Sequence, residues 1–188
     1  AELPAGTTLN WDKTSIVTVN AKRAEVSLNG IWHFIPAAES GTEPPKVGWA
    51  YIKVPGSWQS RGGRGQREEG RGARGGDFVA LGGGPQWDLW DGARVARAWY
   101  ERRVVIPAEW QGRAIRLRLE RVCTDAVVYV NGTECGRIAW PWGSVDITPA
   151  VTPGQSADIR VLVAAIAEAE QVGTFWQNAL SSTITFSS

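Results

Sequence analysis

Apolar and polar side chains alternate most clearly over residues 114–120, where Ile115, Leu117 and Leu119 share one face of an extended chain and Arg116, Arg118 and Glu120 the other. One face is core and one is wet, as in an antiparallel sheet. The apolar run 126–130 leads into Asn131-Gly132, a dipeptide that supplies two consecutive positive φ angles for a two-residue hairpin, with the return strand at 133–139. Residues 144–148 and 157–165 follow, the latter turning Ile159, Val161 and Val163 inward, and a last strand is expected at 179–186. Earlier, residues 15–19, 30–35 and 50–54 are short apolar or alternating stretches separated by Gly, Pro, Asn and Ser, and a further strand starts near Trp99. Residues 166–172 have helical composition but are too few for an independent helix. The pattern predicts an all-β chain, an antiparallel jelly-roll or galactose-binding-like β-sandwich of about nine or ten strands in a single domain over residues 1–188.

One segment breaks the pattern. Residues 61–76 hold seven Gly, five Arg and two Glu, with no aliphatic side chain larger than Ala73. Such a stretch cannot bury itself, which predicts a flexible Gly/Arg-rich insertion spanning about residues 60–85. Arg/Gly-rich segments also bind single-stranded RNA, but this one contains no aromatic side chain and carries Glu68 and Glu69. A surface loop is the expectation, and no nucleic-acid partner.

Composition narrows the chemistry. Twenty Lys and Arg stand against nineteen Asp and Glu, so net charge points to neither nucleic acid nor an acidic surface. No apolar run approaches the ~18 residues of a membrane-spanning helix, and no membrane partner is expected. Two cysteines and one histidine, His33, are too few for a structural zinc site or most histidine-based catalysis, and no cofactor or metal is expected. The hairpin register puts Cys135 opposite Val128, leaving free buried thiols or a Cys123–Cys135 bridge as alternatives. Methionine is absent and the chain opens Ala1-Glu2, which fits a processed export product and an expected periplasmic or extracellular location. Eleven tryptophans are present where roughly two or three would be ordinary. Most are expected in the core, and a minority as platforms for sugar rings or as contacts with a partner domain.

The order of several motifs resembles the opening of glycoside hydrolase family 2. The motifs are Leu28-Asn29-Gly30-Ile31-Trp32, Val54-Pro55-Gly56-Ser57-Trp58, Trp99-Tyr100-Glu101-Arg102, Val128-Tyr129-Val130-Asn131-Gly132, Val145-Asp146-Ile147-Thr148-Pro149 and Phe175-Trp176-Gln177-Asn178. The resemblance covers about residues 26–186 apart from the insertion. It implies the N-terminal jelly-roll domain of β-galactosidase- and β-glucuronidase-like enzymes, followed there by an immunoglobulin-like domain and a catalytic α/β barrel. Retaining hydrolysis in the family uses two barrel glutamates about 5 Å apart. No catalytic residue is therefore expected in this chain, and Glu68-Glu69, the one adjacent Glu pair, reads as solvated charge.

The resemblance also implies a role at the rim of the barrel's sugar pocket, with carbohydrate and the other domains of the parent glycosidase as partners. Trp140-Pro141-Trp142 lies where the family has a barrel-facing loop, so these indoles read as a sugar platform or interdomain plug, or as a hydrophobic lid. Trp87-Asp88-Leu89-Trp90 offers Trp87 and Trp90 the same choice between sugar contact and a turn packed on the sheet. Family members carry an Asn before the Trp-Tyr strand and an Asp after a Trp-Arg pair. Here these positions are Arg97 and Asn178, the latter beside Trp176 and Gln177. A guanidinium fork suits a carboxylate or sulfate, which turns the expected glycan toward an acidic one. The alternatives are a free-standing carbohydrate-binding module and a structural interaction domain.

Overall fold

The computed structural model describes residues 1–11, 15–20, 22–37, 42–58, 76–84, 87, 92, 95–165 and 179–187, with the backbone alone for 15–19 and 179–187. Among the described residues thirteen strands run in chain order, beginning with β1 (Ser15–Val19), β2 (Arg23–Ser27), β3 (Gly30–Pro36), β4 (Ala50–Val54), β5 (Gly56–Ser57), β6 (Phe78–Ala80) and β7 (Arg97–Val105). They continue as β8 (Ala114–Val122), β9 (Asp125–Val130), β10 (Thr133–Ala139), β11 (Gly143–Asp146), β12 (Ser156–Ala164) and β13 (Ala179–Ser187). One sheet has the order β1-β2-β13-β8-β11, with β5 beside β13; the other runs β10-β9-β12-β7-β3-β4-β6. The pairings are antiparallel, and the chain is an all-β sandwich, as the alternating pattern implied.

The core lies between the sheets. Ile115, Leu117 and Leu119 of β8 join Ile159, Val161 and Val163 of β12 in one buried cluster with Trp32, Phe34, Trp58 and Tyr100. Of the nine described tryptophans, Trp32, Trp58, Trp99 and Trp110 are buried. The sheets are tied together where Leu28-Asn29 crosses from β2 to β3. The fully buried Leu28 offers its carbonyl to two donors of the seven-stranded sheet, Trp32 Nε1 at 2.7 Å and Arg102 Nη1 at 3.0 Å. Burial pulls the pKa of Arg102 below the ordinary guanidinium value, since the charged form loses its hydration there.

Three strands exceed the sequence expectation: β2, β5 and β6. β2 shows the core only the small Ala24 and Val26, too faint an alternation to stand out. β6 falls within the span 60–85 of the expected insertion and is built into the sheet. Phe78 and Ala80 pair with Ile52 and Tyr51, while Asp77 accepts the Ser57 N–H at 2.8 Å and its carbonyl accepts that of Lys53 at 2.8 Å. Residues 59–75, with the Glu68-Glu69 pair, lie outside the described residues, as do 166–172.

The Asn131-Gly132 hairpin has the predicted positive φ angles, 51° and 83°. Its register differs by one residue from expectation. Gly136, not Cys135, pairs with Val128, because β10 bulges between Glu134 and Gly136. Both thiols are free. Asp146 caps the turn after β11, accepting the Thr148 N–H at 2.9 Å. Hydrogen bonds from the Thr148 hydroxyl and N–H hold its carboxyl below the usual range.

Candidate functional site

At one end of the sandwich the chain passes from β10, an edge of the seven-stranded sheet, to β11, an edge of the other, through Trp140-Pro141-Trp142. The turn is fixed by its backbone. Trp140 N–H donates to the Thr124 carbonyl at 2.6 Å, and the Pro141 carbonyl accepts the Val122 N–H at 2.9 Å. Gly143 then lets β11 pass under Ile138, where an added Cβ would lie 2.9 Å from Cγ2. With the backbone pinned to the ends of β8 and β9, the two rings face outward, Trp140 49% and Trp142 62% exposed. The Arg118 guanidinium lies 5.7 Å from the Trp142 ring, a cation–π contact that holds the indole from one side.

Arg97 opens β7 at the same end. It pairs with Ala164, which pairs with Asp125, which pairs with Ala139 beside Trp140. Three strand spacings, roughly 14 Å, therefore separate the Arg97 backbone from the tryptophan turn. Trp87 is half-buried and serves packing: its N–H donates to the Gly48 carbonyl, and its ring meets Phe78 at 5.8 Å and Phe34 at 6.2 Å. Trp90, Trp176, Gln177 and Asn178 lie outside the described residues. The strands flanking residues 166–178 close on this same end, since the Ala165 N–H donates to the Ala96 carbonyl and Leu180 pairs with Val122.

A second site emerges on the outer face of the seven-stranded sheet, one that sequence reasoning missed. Register aligns Tyr129, Arg160, Glu101, His33 and Tyr51 across five adjacent strands, β9-β12-β7-β3-β4. Glu101 is the centre of this row. Its Oε1 lies 3.3 Å from His33 Nδ1, and its Oε2 accepts Arg160 Nε at 2.6 Å. The His33 hydrogen bond, with those and the charge of Arg160, outweighs burial and holds the carboxyl below the ordinary glutamate range. Glu101 is thus kept ionised as an acceptor, rather than poised as a proton donor.

The adjoining row is apolar: Val127, Leu162, Trp99 and Ile35. Ile35, Trp99 and Leu162 are buried although they point away from the main core, covered by Trp49, Trp87, Val127 and Tyr129. Between the two rows and residues 42–49 lies a cavity of about 570 Å³, bordered by Trp49, Trp99, Tyr129, Glu101, Arg160 and Lys46. A second hollow of about 490 Å³ flanks His33 on its other side, against Trp11, Tyr51 and Arg103. The sequence signal was present in runs of consecutive apolar residues, Ala98-Trp99-Tyr100 and Val161-Leu162-Val163, which mark strands apolar on both faces. Among the described residues no group of three or more His, Cys, Asp or Glu could hold a metal ion.

No protein-family model matches the chain. A β-glucuronidase of Paenibacillus borealis is 31% identical over 74 residues, which is 37% of this chain and 12% of that protein. Solved structures match far more of it. An uncultured Clostridium sp. β-glucuronidase superposes with a TM-score of 0.64 at 20% identity, covering 90% of this chain and 30% of that one. The Dictyoglomus thermophilum enzyme gives 0.60 at 18%, over 90% and 29%. A Ruminococcus gnavus β-glucuronidase in complex with uronic isofagomine gives 0.64 at 19%, over 95% and 31%. The chain thus spans less than a third of the length of these relatives. In fold, nine-tenths of the chain matches a part of these β-glucuronidases that makes up about three-tenths of their length.

Proposed function

We propose that this chain is the non-catalytic β-sandwich of a multidomain glycoside hydrolase, supporting a catalytic barrel and lining the rim of its sugar pocket. The observation that carries the proposal is the coverage asymmetry: nine-tenths of this chain superposes on about three-tenths of each β-glucuronidase. The exposed Trp140 and Trp142, on a turn stitched at both ends to the sheets, suit a rigid surface against a neighbouring domain or a sugar ring. An acidic glycan fits this reading, because Arg97 opens β7 at that end and the relatives are glucuronidases.

Reading the coding sequence on both sides of these 188 residues tests the architecture, with a barrel carrying two glutamates expected downstream. The encoded protein is expected to hydrolyse an aryl β-glucuronide faster than the neutral galactoside, and Arg97→Ala to raise KM for the acidic substrate selectively. Equal effects on both substrates would leave Arg97 a structural role. A second reading, a free-standing carbohydrate-binding module, draws on the same exposed indoles. Glycan titration of the chain alone and of its Trp140→Ala and Trp142→Ala variants separates the two, since a module binds sugar at this turn without a barrel.

A further inference from the structure

We propose that the cavity on the outer face of the seven-stranded sheet is a non-catalytic binding site for one neutral pyranose unit of a glycan. The inference does not depend on a barrel being attached, because the site is built within the sheet. Its volume, about 570 Å³, falls in the range of small-molecule sites. Its walls combine the two chemistries that sugar recognition needs. Trp49 and Tyr129, both only partly buried, provide π surfaces for the C–H face of a pyranose. Glu101 and Arg160 provide a fixed acceptor and a planar donor fork for vicinal hydroxyls, each of which can donate and accept.

These groups are set in place before any ligand arrives. Arg160 commits Nε to Glu101 at 2.6 Å, an arrangement that orients the rest of the guanidinium. Trp49 is oriented by its own N–H, which donates to the Pro45 carbonyl at 2.9 Å. Trp99 forms the floor beneath these groups, 1% exposed and packed in one cluster with Ile35 and Leu162 under Trp49 and Tyr129. The charges bordering the cavity balance, Glu43 and Glu101 against Lys46 and Arg160, which favours a neutral sugar over an anionic one.

Titration of the 188-residue chain with methyl β-glucopyranoside, followed by saturation-transfer NMR, tests the site. Binding with a Kd of about 1–10 mM is expected, weakened about tenfold in Trp49→Ala and in Arg160→Leu and unchanged in Glu120→Gln, an exposed position on the other sheet. Arg160→Lys, which keeps the charge but loses the fork, covers the case in which Arg160→Leu fails to fold and is expected to weaken binding as much. No binding up to about 50 mM, wild-type binding in folded Trp49→Ala or Arg160→Lys, or loss in Glu120→Gln would overturn the assignment. So would tighter binding of methyl β-glucuronide than of the neutral glycoside.

Discussion

The clasp on the Leu28 carbonyl can be taken apart one donor at a time. Trp32→Phe removes an indole N–H and several ring atoms from a fully buried position. The lost hydrogen bond costs about 1 kcal/mol. Withdrawing about 40 Å² of apolar surface at 25 cal/mol per Å² costs about 1 kcal/mol more. Arg102→Met removes the other donor but also relieves a cation that is only 6% exposed, so its net effect should stay within about 1 kcal/mol of zero. In each single variant the carbonyl keeps one partner. In the double variant it is buried with none, which should add about 1–3 kcal/mol beyond the sum of the singles. Urea unfolding of all four proteins, followed by circular dichroism with equal m-values, measures the coupling. Additivity to within about 0.5 kcal/mol would refute the idea that these two side chains hold one crossover.

Other expectations follow from the same geometry. Leu117→Asp places an unpaired carboxylate in the centre of the core and should abolish cooperative unfolding by circular dichroism. Trp142→Ala, at an exposed position, should change the stability of the isolated chain by no more than about 0.5 kcal/mol in a urea titration, and a larger loss would show that the turn belongs to the core. The folded-state pKa of Glu101 is depressed, so its contribution is present above the ordinary glutamate pKa of about 4.3 and is lost as pH falls through the lower folded value. Urea midpoints from pH 6 to 3 should therefore fall less steeply in Glu101→Gln than in the parent, and parallel curves would contradict the row. Gly136→Ala should cost about 1–3 kcal/mol, because φ is 145° and the new Cβ would lie 3.0 Å from Val145 Cγ1.

The strands that were legible in the sequence are those whose inward positions carry Ile, Leu or Val, as in β8 and β12. β2 escaped because Ala24 and Val26 leave a shallow alternation, and β6 because Phe78 follows a run of Gly and Arg that masks its start. The tryptophan turn could be read because a proline between two indoles is a local signal. The Glu101 row could not. His33, Glu101 and Arg160 are separated by 68 and 59 residues, and only the registers of β3, β7 and β12 bring them side by side. Arg102 and Arg103 look equivalent in sequence. Strand parity sends the first to the Leu28 carbonyl in the core and the second to Asp158 on the surface, at 2.8 Å.

β10 leaves a row of backbone donors and acceptors at the margin of the seven-stranded sheet, the arrangement that invites a second chain to add a strand. The bulge between Glu134 and Gly136 breaks the spacing of those groups, and the exposed Arg137–Glu134 pair sets charge along the same margin. An incoming strand would find neither an even hydrogen-bonding ladder nor an apolar face to match. Fibril growth by edge addition is thereby blocked on that side, even when no neighbouring domain covers the sandwich.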